Sequence, residues 1–286
     1  MIRIIETSPL QIMRILLIFL LIGSLSLQAQ NKSGITGKPD TSFTNYAALQ
    51  MVVKQDPTIR LAEVQSSKSK VQSSVYKVIG SRKLVVDEYA VSATRKLPTL
   101  VFFHGGGWRT GHRSQHIPLA KALADRGYRV FLVEYRLSTE ALYPAGMLDA
   151  QAALQWVSKR QNVGEIYVGG YSAGGQMAAL LGSVQDENTY GKGVKLAGAI
   201  DIDGILAFIH PESGEGDDSK RISAATHYFG YNKVEGEAIW KGASALSHVT
   251  KGDPPVLFLN SSDERMHAGR DDFMRKMADF GIHSAF

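Results

Sequence analysis

The chain has 286 residues, 44% of them hydrophobic and 21% charged, with a formal charge of +5 and no cysteine. Such values suit a soluble globular protein with a sizeable core, built as one large α/β domain or two small ones. They exclude disulfides, a thiol nucleophile, thiolate metal sites and a lipid-bearing cysteine, and no Lys/Arg cluster is dense enough for a nucleic-acid surface.

Arg3 and Arg14 precede an apolar run over 15–22, which fades through Gly23 and Ser24 to Leu27-Gln28-Ala29-Gln30. A basic start, a short apolar stretch and a small residue at the cleavage point describe a secretory signal peptide over 1–29. The run is shorter than the ~20 residues that span a bilayer. The expectation is an exported protein, periplasmic or extracellular, with no membrane contact after cleavage. Residues 30–70 read as a polar lead-in with one helix around 46–53.

From residue 71 onward the sequence predicts a single α/β domain. Strands over 76–79 and 84–91 are joined by Gly80-Ser81 as a hairpin. The run 100–103 is apolar throughout, as in a strand buried on both faces. Pro118 suits a first helical turn and Gly127 its end, and a strand follows over 128–134. Met147, Ala150, Leu154 and Val157 recur on one helical stripe. A strand over 165–169 runs into a helix over 176–181, with further strands over 196–202 and 254–259. Phe273, Met277 and Phe280 mark a last helix, closed by Gly281. Strands alternating with helices mean a mostly parallel sheet flanked by helices. The stretch 205–250 breaks that rhythm and reads as a lid-like insertion over the carboxyl ends of the strands, where ligands bind in open α/β sheets.

Two motifs carry chemistry. Gly170-Tyr171-Ser172-Ala173-Gly174 fits G-x-S-x-G, a strained strand-to-helix turn that projects a serine hydroxyl towards base and substrate. His104-Gly105-Gly106-Gly107-Trp108 fits the HGGG-type loop, whose glycines let successive N–H groups approach one oxyanion. Ser172 is the expected nucleophile, Gly106, Gly107 and Ala173 the oxyanion donors, and Trp108 a residue bordering the substrate pocket, there either to contact the substrate or to pack the loop. No phosphate-loop or dinucleotide motif is present, and no histidine has ligand spacing such as H-E-x-x-H, so neither cofactor nor metal is expected.

Glu134-Tyr135-Arg136-Leu137, Tyr143-Pro144-Ala145 and Asp149 lie between these motifs. With them, the chain resembles the hormone-sensitive-lipase-like and feruloyl-esterase-like branch of the α/β-hydrolases, from about residue 84 to the end. The resemblance implies an α/β-hydrolase fold and hydrolysis of carboxylic esters, commonly of acyl groups on plant polysaccharides. Joined to an export signal, it implies a carbohydrate acetyl or feruloyl esterase acting on an ester-bearing small molecule or polysaccharide. The mild basicity fits an acidic polymer.

The resemblance puts the catalytic acid just past the strand ending at Asn260, where Asp263 stands; Asp203, Asp271 and Asp272 compete for the role. Chain order in this fold is Ser, acid, His, and His267 and His283 follow Asp263. In the resembled families the histidine sits beyond a final strand, of which 284–286 is only the start. The expectation is a fragment lacking ~20–40 residues, the catalytic histidine among them, judged from the strand and helix lengths still owed. Two other readings stay open: a small-amide hydrolase of the kynurenine-formamidase type, whose loop is similar, and a non-catalytic hydrolase-fold carbohydrate-binding protein.

Overall fold

Side-chain alternation in the central strand explains the layering. In β3 (Leu97–Phe103), Leu100 and Phe102 join one buried cluster while Val101 and Phe103 join another. A strand's period of two sends such neighbours to opposite faces, so both faces of this strand demand cover. The computed structural model describes residues 34–54, 56–60, 66–184 and 193–286. The signal segment expected over 1–29 lies outside them.

The sheet contains β1 (Lys70–Ile79), β2 (Arg82–Ala90), β3, β4 (Arg129–Val133), β5 (Val163–Tyr171), β6 (Leu196–Ile202), β7 (Val256–Leu259) and β8 (Ser284–Ala285). Their spatial order is β1-β2-β4-β3-β5-β6-β7-β8. The hairpin β1–β2 and the pair β2–β4 are antiparallel, and every later pairing is parallel. The mostly parallel sheet expected from the alternation is thus present, including the start of a final strand after His283.

Helix α1 (Asn45–Val52) lies in the lead-in. On one face of the sheet, α2 (Ile117–Asp125) buries Ala120 and Ala124 against Leu100, Phe102 and Leu132. On the other, α3 (Ala145–Ser158) and α4 (Ala173–Ser183) cover Val101, Phe103, Phe131 and Val168. Every residue of α4 is buried, which is why its sequence is small and apolar. Near the far edge, Phe273 of α7 (Arg270–Asp279) meets Phe258 of β7 edge to face. Phe280, expected on that helix's apolar stripe, falls past its end and is exposed.

The insertion at 205–250 carries α5 (Ala224–Phe229) and α6 (Glu237–Gly242). It is more deeply seated than a loose cover would be. Phe208, Phe229 and Trp240 are fully buried, with Phe208–Phe229 and Phe229–Trp240 ring centroids 4.9 and 4.8 Å apart. These rings belong to the same cluster as the sheet residues.

Candidate active site

Register assembles the site. Phe103 pairs with Val133 on one side and Gly170 on the other, Gly170 pairs with Asp201, and Ile202 with Leu259. The segments leaving β3, β4, β5, β6 and β7 therefore emerge at one rim, and His104, Glu134, Ser172, Asp203 and Asn260 share it. The chain leaves β3 for β4 on one side and later reaches β5 on the other, so this rim is a topological switch point.

Ser172 links β5 to α4 with φ 52° and ψ −117°, a backbone conformation that a non-glycine residue adopts only when its surroundings impose it. The Ser172 N–H donates to the Ile202 carbonyl at 2.7 Å, and the Ser172 carbonyl accepts from Gln176 N–H at 3.0 Å. Glycines make the turn possible. A Cβ on Gly170 would stand 2.1 Å from the Gly174 carbonyl, and one on Gly174 would stand 2.1 Å from the Phe103 carbonyl oxygen. Ala173 opens α4, where the first N–H groups have no partner inside the helix. Among the described residues no hydrogen bond engages the Ser172 hydroxyl.

The HGGGW loop lies against this turn: a Cβ on Gly105 would come within 2.9 Å of the Tyr171 carbonyl oxygen and 3.3 Å of Ser172 Cβ. The loop closes on the Gly106 carbonyl, which accepts from Arg109 and Thr110 N–H at 3.2 and 3.0 Å. That closure puts the Thr110 carbonyl oxygen 2.0 Å from where a Gly106 Cβ would be. His104 is buried, its Nδ1 2.8 Å from the Gly105 carbonyl, its ring stacked 4.5 Å from Tyr135. Burial pulls the imidazole down to about 3, so it is neutral and serves as scaffold. The Tyr135 hydroxyl donates to the His104 carbonyl at 2.7 Å. The lead-in clamps the loop's far side: Gly111 N–H donates to the Asp40 carbonyl at 3.0 Å, and Phe43 N–H to Thr110 Oγ1 at 3.2 Å.

Trp108, expected at the pocket, is 4% exposed and is corrected to a packing residue. It holds a positive φ of 56° that turns its ring into the core, where it stacks on Tyr228 at 5.0 Å. Its Nε1–H donates to Gln176 Oε1 at 2.9 Å, and Gln176 Nε2 donates to the Ala243 carbonyl at 2.9 Å. Gln176 thereby ties the HGGGW loop, the serine helix and the insertion together. The sequence signal for it was a lone polar side chain on an otherwise apolar helix. The resemblance motifs around 134–149 also gain a physical role. Asp149, fully buried, binds Lys77 Nζ at 2.6 Å and Arg136 Nε at 2.7 Å, and Glu134 binds Arg82 and Arg113 at 2.7 and 3.0 Å. These ion pairs brace the strand end that carries Tyr135.

The acidic candidates separate clearly. Asp263 is exposed, and its carboxylate pairs with Arg265 Nε at 2.9 Å. Asp271 and Asp272 lie on the first turn of α7 and pair with Arg270 and Arg275 at 3.0 and 2.8 Å. Asp203 is buried at the rim with φ 53°, and its Oδ1 accepts Ser261 N–H at 2.6 Å. Asp201 lies under the serine turn, where a Cβ on Gly175 would stand 2.3 Å from its Oδ1. Burial pushes its carboxyl well above the ordinary range. His267 Nε2 lies 2.7 Å from the Ser261 carbonyl and is not bonded to Asp263. The His283 carbonyl accepts Val256 N–H at 3.3 Å, which puts His283 at the amino end of β7, opposite the serine rim.

Comparisons with known proteins agree with this geometry. The BD-FAE family model matches residues 86–268. Carboxylesterase NlhH of Mycobacterium tuberculosis is 41% identical over 91 residues, 30% of this chain and 28% of that protein. Esterase LipC of the same organism is 25% identical over 182 residues, 59% of this chain and 45% of its own. The chain thus spans less than half the length of these relatives. Among solved structures, a truncated carbohydrate esterase from gut microbiota has a TM-score of 0.64 at 17% identity, covering 78% of this chain and 88% of that one. A thermostable esterase from Pseudomonas putida ECU1011 has a TM-score of 0.64 at 22% identity, covering 92% and 84%. At such identities the likeness shows a shared fold.

Proposed function

The chain belongs to the BD-FAE family, and we propose that it hydrolyses carboxylic esters through an acyl-enzyme on Ser172. The single observation that carries this reading is the strained serine turn packed against a glycine loop whose Gly106 and Gly107 N–H groups have no acceptor among the described residues. In the proposed reaction, Ser172 Oγ attacks the ester carbonyl carbon while a histidine takes the hydroxyl proton. The carbonyl oxygen becomes an oxyanion held by the N–H groups of Gly106, Gly107 and Ala173, each such donor being worth roughly 3 kcal/mol in the transition state. Collapse expels the alcohol, which takes the proton back. Water then repeats the sequence and frees the acid.

For the acid that orients the base, burial and strain favour Asp203 over Asp263. A carboxylate buried on a backbone of φ 53° is the kind of feature that clusters at functional sites, whereas Asp263 already spends its charge on an exposed arginine. The export signal and the carbohydrate esterase among the fold neighbours support an extracytoplasmic substrate of acylated polysaccharide, with acetyl or feruloyl groups as the acyl part. Replacing Ser172 with Ala in the full-length protein should abolish hydrolysis of p-nitrophenyl acetate while leaving the thermal transition in place. Retained turnover would rule out Ser172 as nucleophile.

A further inference from the structure

A cleft of about 460 Å³ opens directly beside the oxyanion loop. One wall is Gly106 with Arg109 and Thr110; the other is the insertion, with Arg265 beyond β7 completing it. The insertion stands close to the loop, since a Cβ on Gly107 would touch the Ala224 methyl at 3.0 Å. Gly106 thus belongs both to the oxyanion loop and to this lining, so a substrate held at Gly106 can reach the cleft.

The charges lining it are unusual in kind. Arg109, Arg221 and Arg265 present guanidinium groups, with Glu215 and Asp217 as the acids and His227 as a further titratable group. Most of these have partners. Arg265 Nε is held by Asp263 at 2.9 Å, with its Nη1 3.9 Å from Glu215. Arg109 lies in the field of Asp40. Asp217 accepts Ser219 N–H at 3.1 Å and faces Lys220 and Lys233. Arg221 is exposed and has neither an ion pair nor a hydrogen bond among the described residues. One fork-shaped cation is thus left without an ion pair among the described residues, on a lining that holds three arginines against two carboxylates.

We propose that this cleft receives a carboxylate carried by the ester substrate, with Arg221 as the specificity-determining residue that pairs with it. Guanidinium binds carboxylate through two parallel N–H···O bonds, which fixes orientation as well as charge. The substrate class is an acylated acidic sugar rather than a neutral one. This deepens the reading of Ser172 as an esterase nucleophile and rests on it for the identity of the ligand as substrate.

The test is an NMR titration of the full-length protein with D-glucuronate, D-glucose and D-glucose 6-phosphate at low salt. D-glucuronate should bind at least about tenfold more tightly than D-glucose, the discrimination of one charge-assisted pair. Arg221→Gln should erase that ratio and Arg221→Lys restore part of it. Equal affinity for glucuronate and glucose overturns the proposal, as does a glucuronate preference that survives Arg221→Gln. Preference for the phosphate alone would overturn the carboxylate assignment. Because binding needs no turnover, a failed esterase reading shows separately, as absence of a covalent adduct on Ser172 when a fluorophosphonate is added.

Discussion

The two halves of the rim are held in different ways. On the nucleophile side, the serine turn and the HGGGW loop are fixed by backbone against backbone, with Gly106, Gly170 and Gly174 each occupying space that no side chain could enter. On the acid side, beyond β6 and β7, the candidate groups are side chains on turns or on a first helical turn, and three of the four aspartates spend their charge on arginines. The first kind of site is specified by where chain can pass; the second is specified by which carboxylate is buried.

The largest expected effect lies on the nucleophile side. Gly174→Ala puts a methyl 2.1 Å from the Phe103 carbonyl oxygen, beyond the overpacking that cores absorb for about 1–3 kcal/mol. Loss of the folded state in a thermal melt is expected. Gly242→Ala, with nothing within 4 Å of its added Cβ, should leave the melt within about 1 kcal/mol of the parent. Equal behaviour of the two would break the contrast.

Next comes the acid side, where the comparison can be sharpened by activity. Asp203→Asn should lower kcat for p-nitrophenyl acetate by about 10⁴, the cost of misorienting a catalytic histidine. Asp263→Asn, at an exposed ion pair worth roughly 0–1 kcal/mol, should change it less than about tenfold. The reverse order would return the acid role to Asp263.

Acid pH probes the scaffold of the loop. Burial pulls His104 down to about 3 and His116 to about 4, both from an ordinary value of 6.5. The unfolded chain therefore takes up protons below pH 6.5 that the folded one refuses. Stability is whole above pH 6.5 and falls from there to about 4 for His116 and about 3 for His104, by on the order of 2 kcal/mol for each histidine at pH 5. Denaturant melts at pH 7 and 5 check this, and His104→Gln should remove part of the difference.

Smallest is Trp108→Phe, which leaves buried Gln176 Oε1 without its donor. Stability should drop by about 1–3 kcal/mol with KM little changed. An altered KM at unchanged stability would restore Trp108 to the substrate pocket.

This division also explains what could be read from the amino acids. Strand and helix order followed from periodicity and glycine positions, most plainly at β3 and β4, which are covered on both faces and apolar on both. The serine turn and oxyanion loop were legible for the same reason: their glycines are steric necessities. The choice between pocket and packing for Trp108 was not legible, because a tryptophan beside such a loop looks the same on paper whether it faces solvent or core, and its positive φ has no sequence signal. Gln176, Tyr135 and Asp149 act through partners 13 to 72 residues away, a relation visible only once the strands are in register. Among the aspartates only the resemblance favours Asp263, since every one of them suits a turn or a helix start.

The most direct test of the central claim is mass spectrometry of the full-length protein after reaction with a fluorophosphonate. The serine-turn account predicts a single adduct on the peptide containing Ser172, absent in Ser172→Ala and prevented by prior incubation with an ester substrate. An adduct on another residue, or none under conditions where ester hydrolysis is measured, would contradict it.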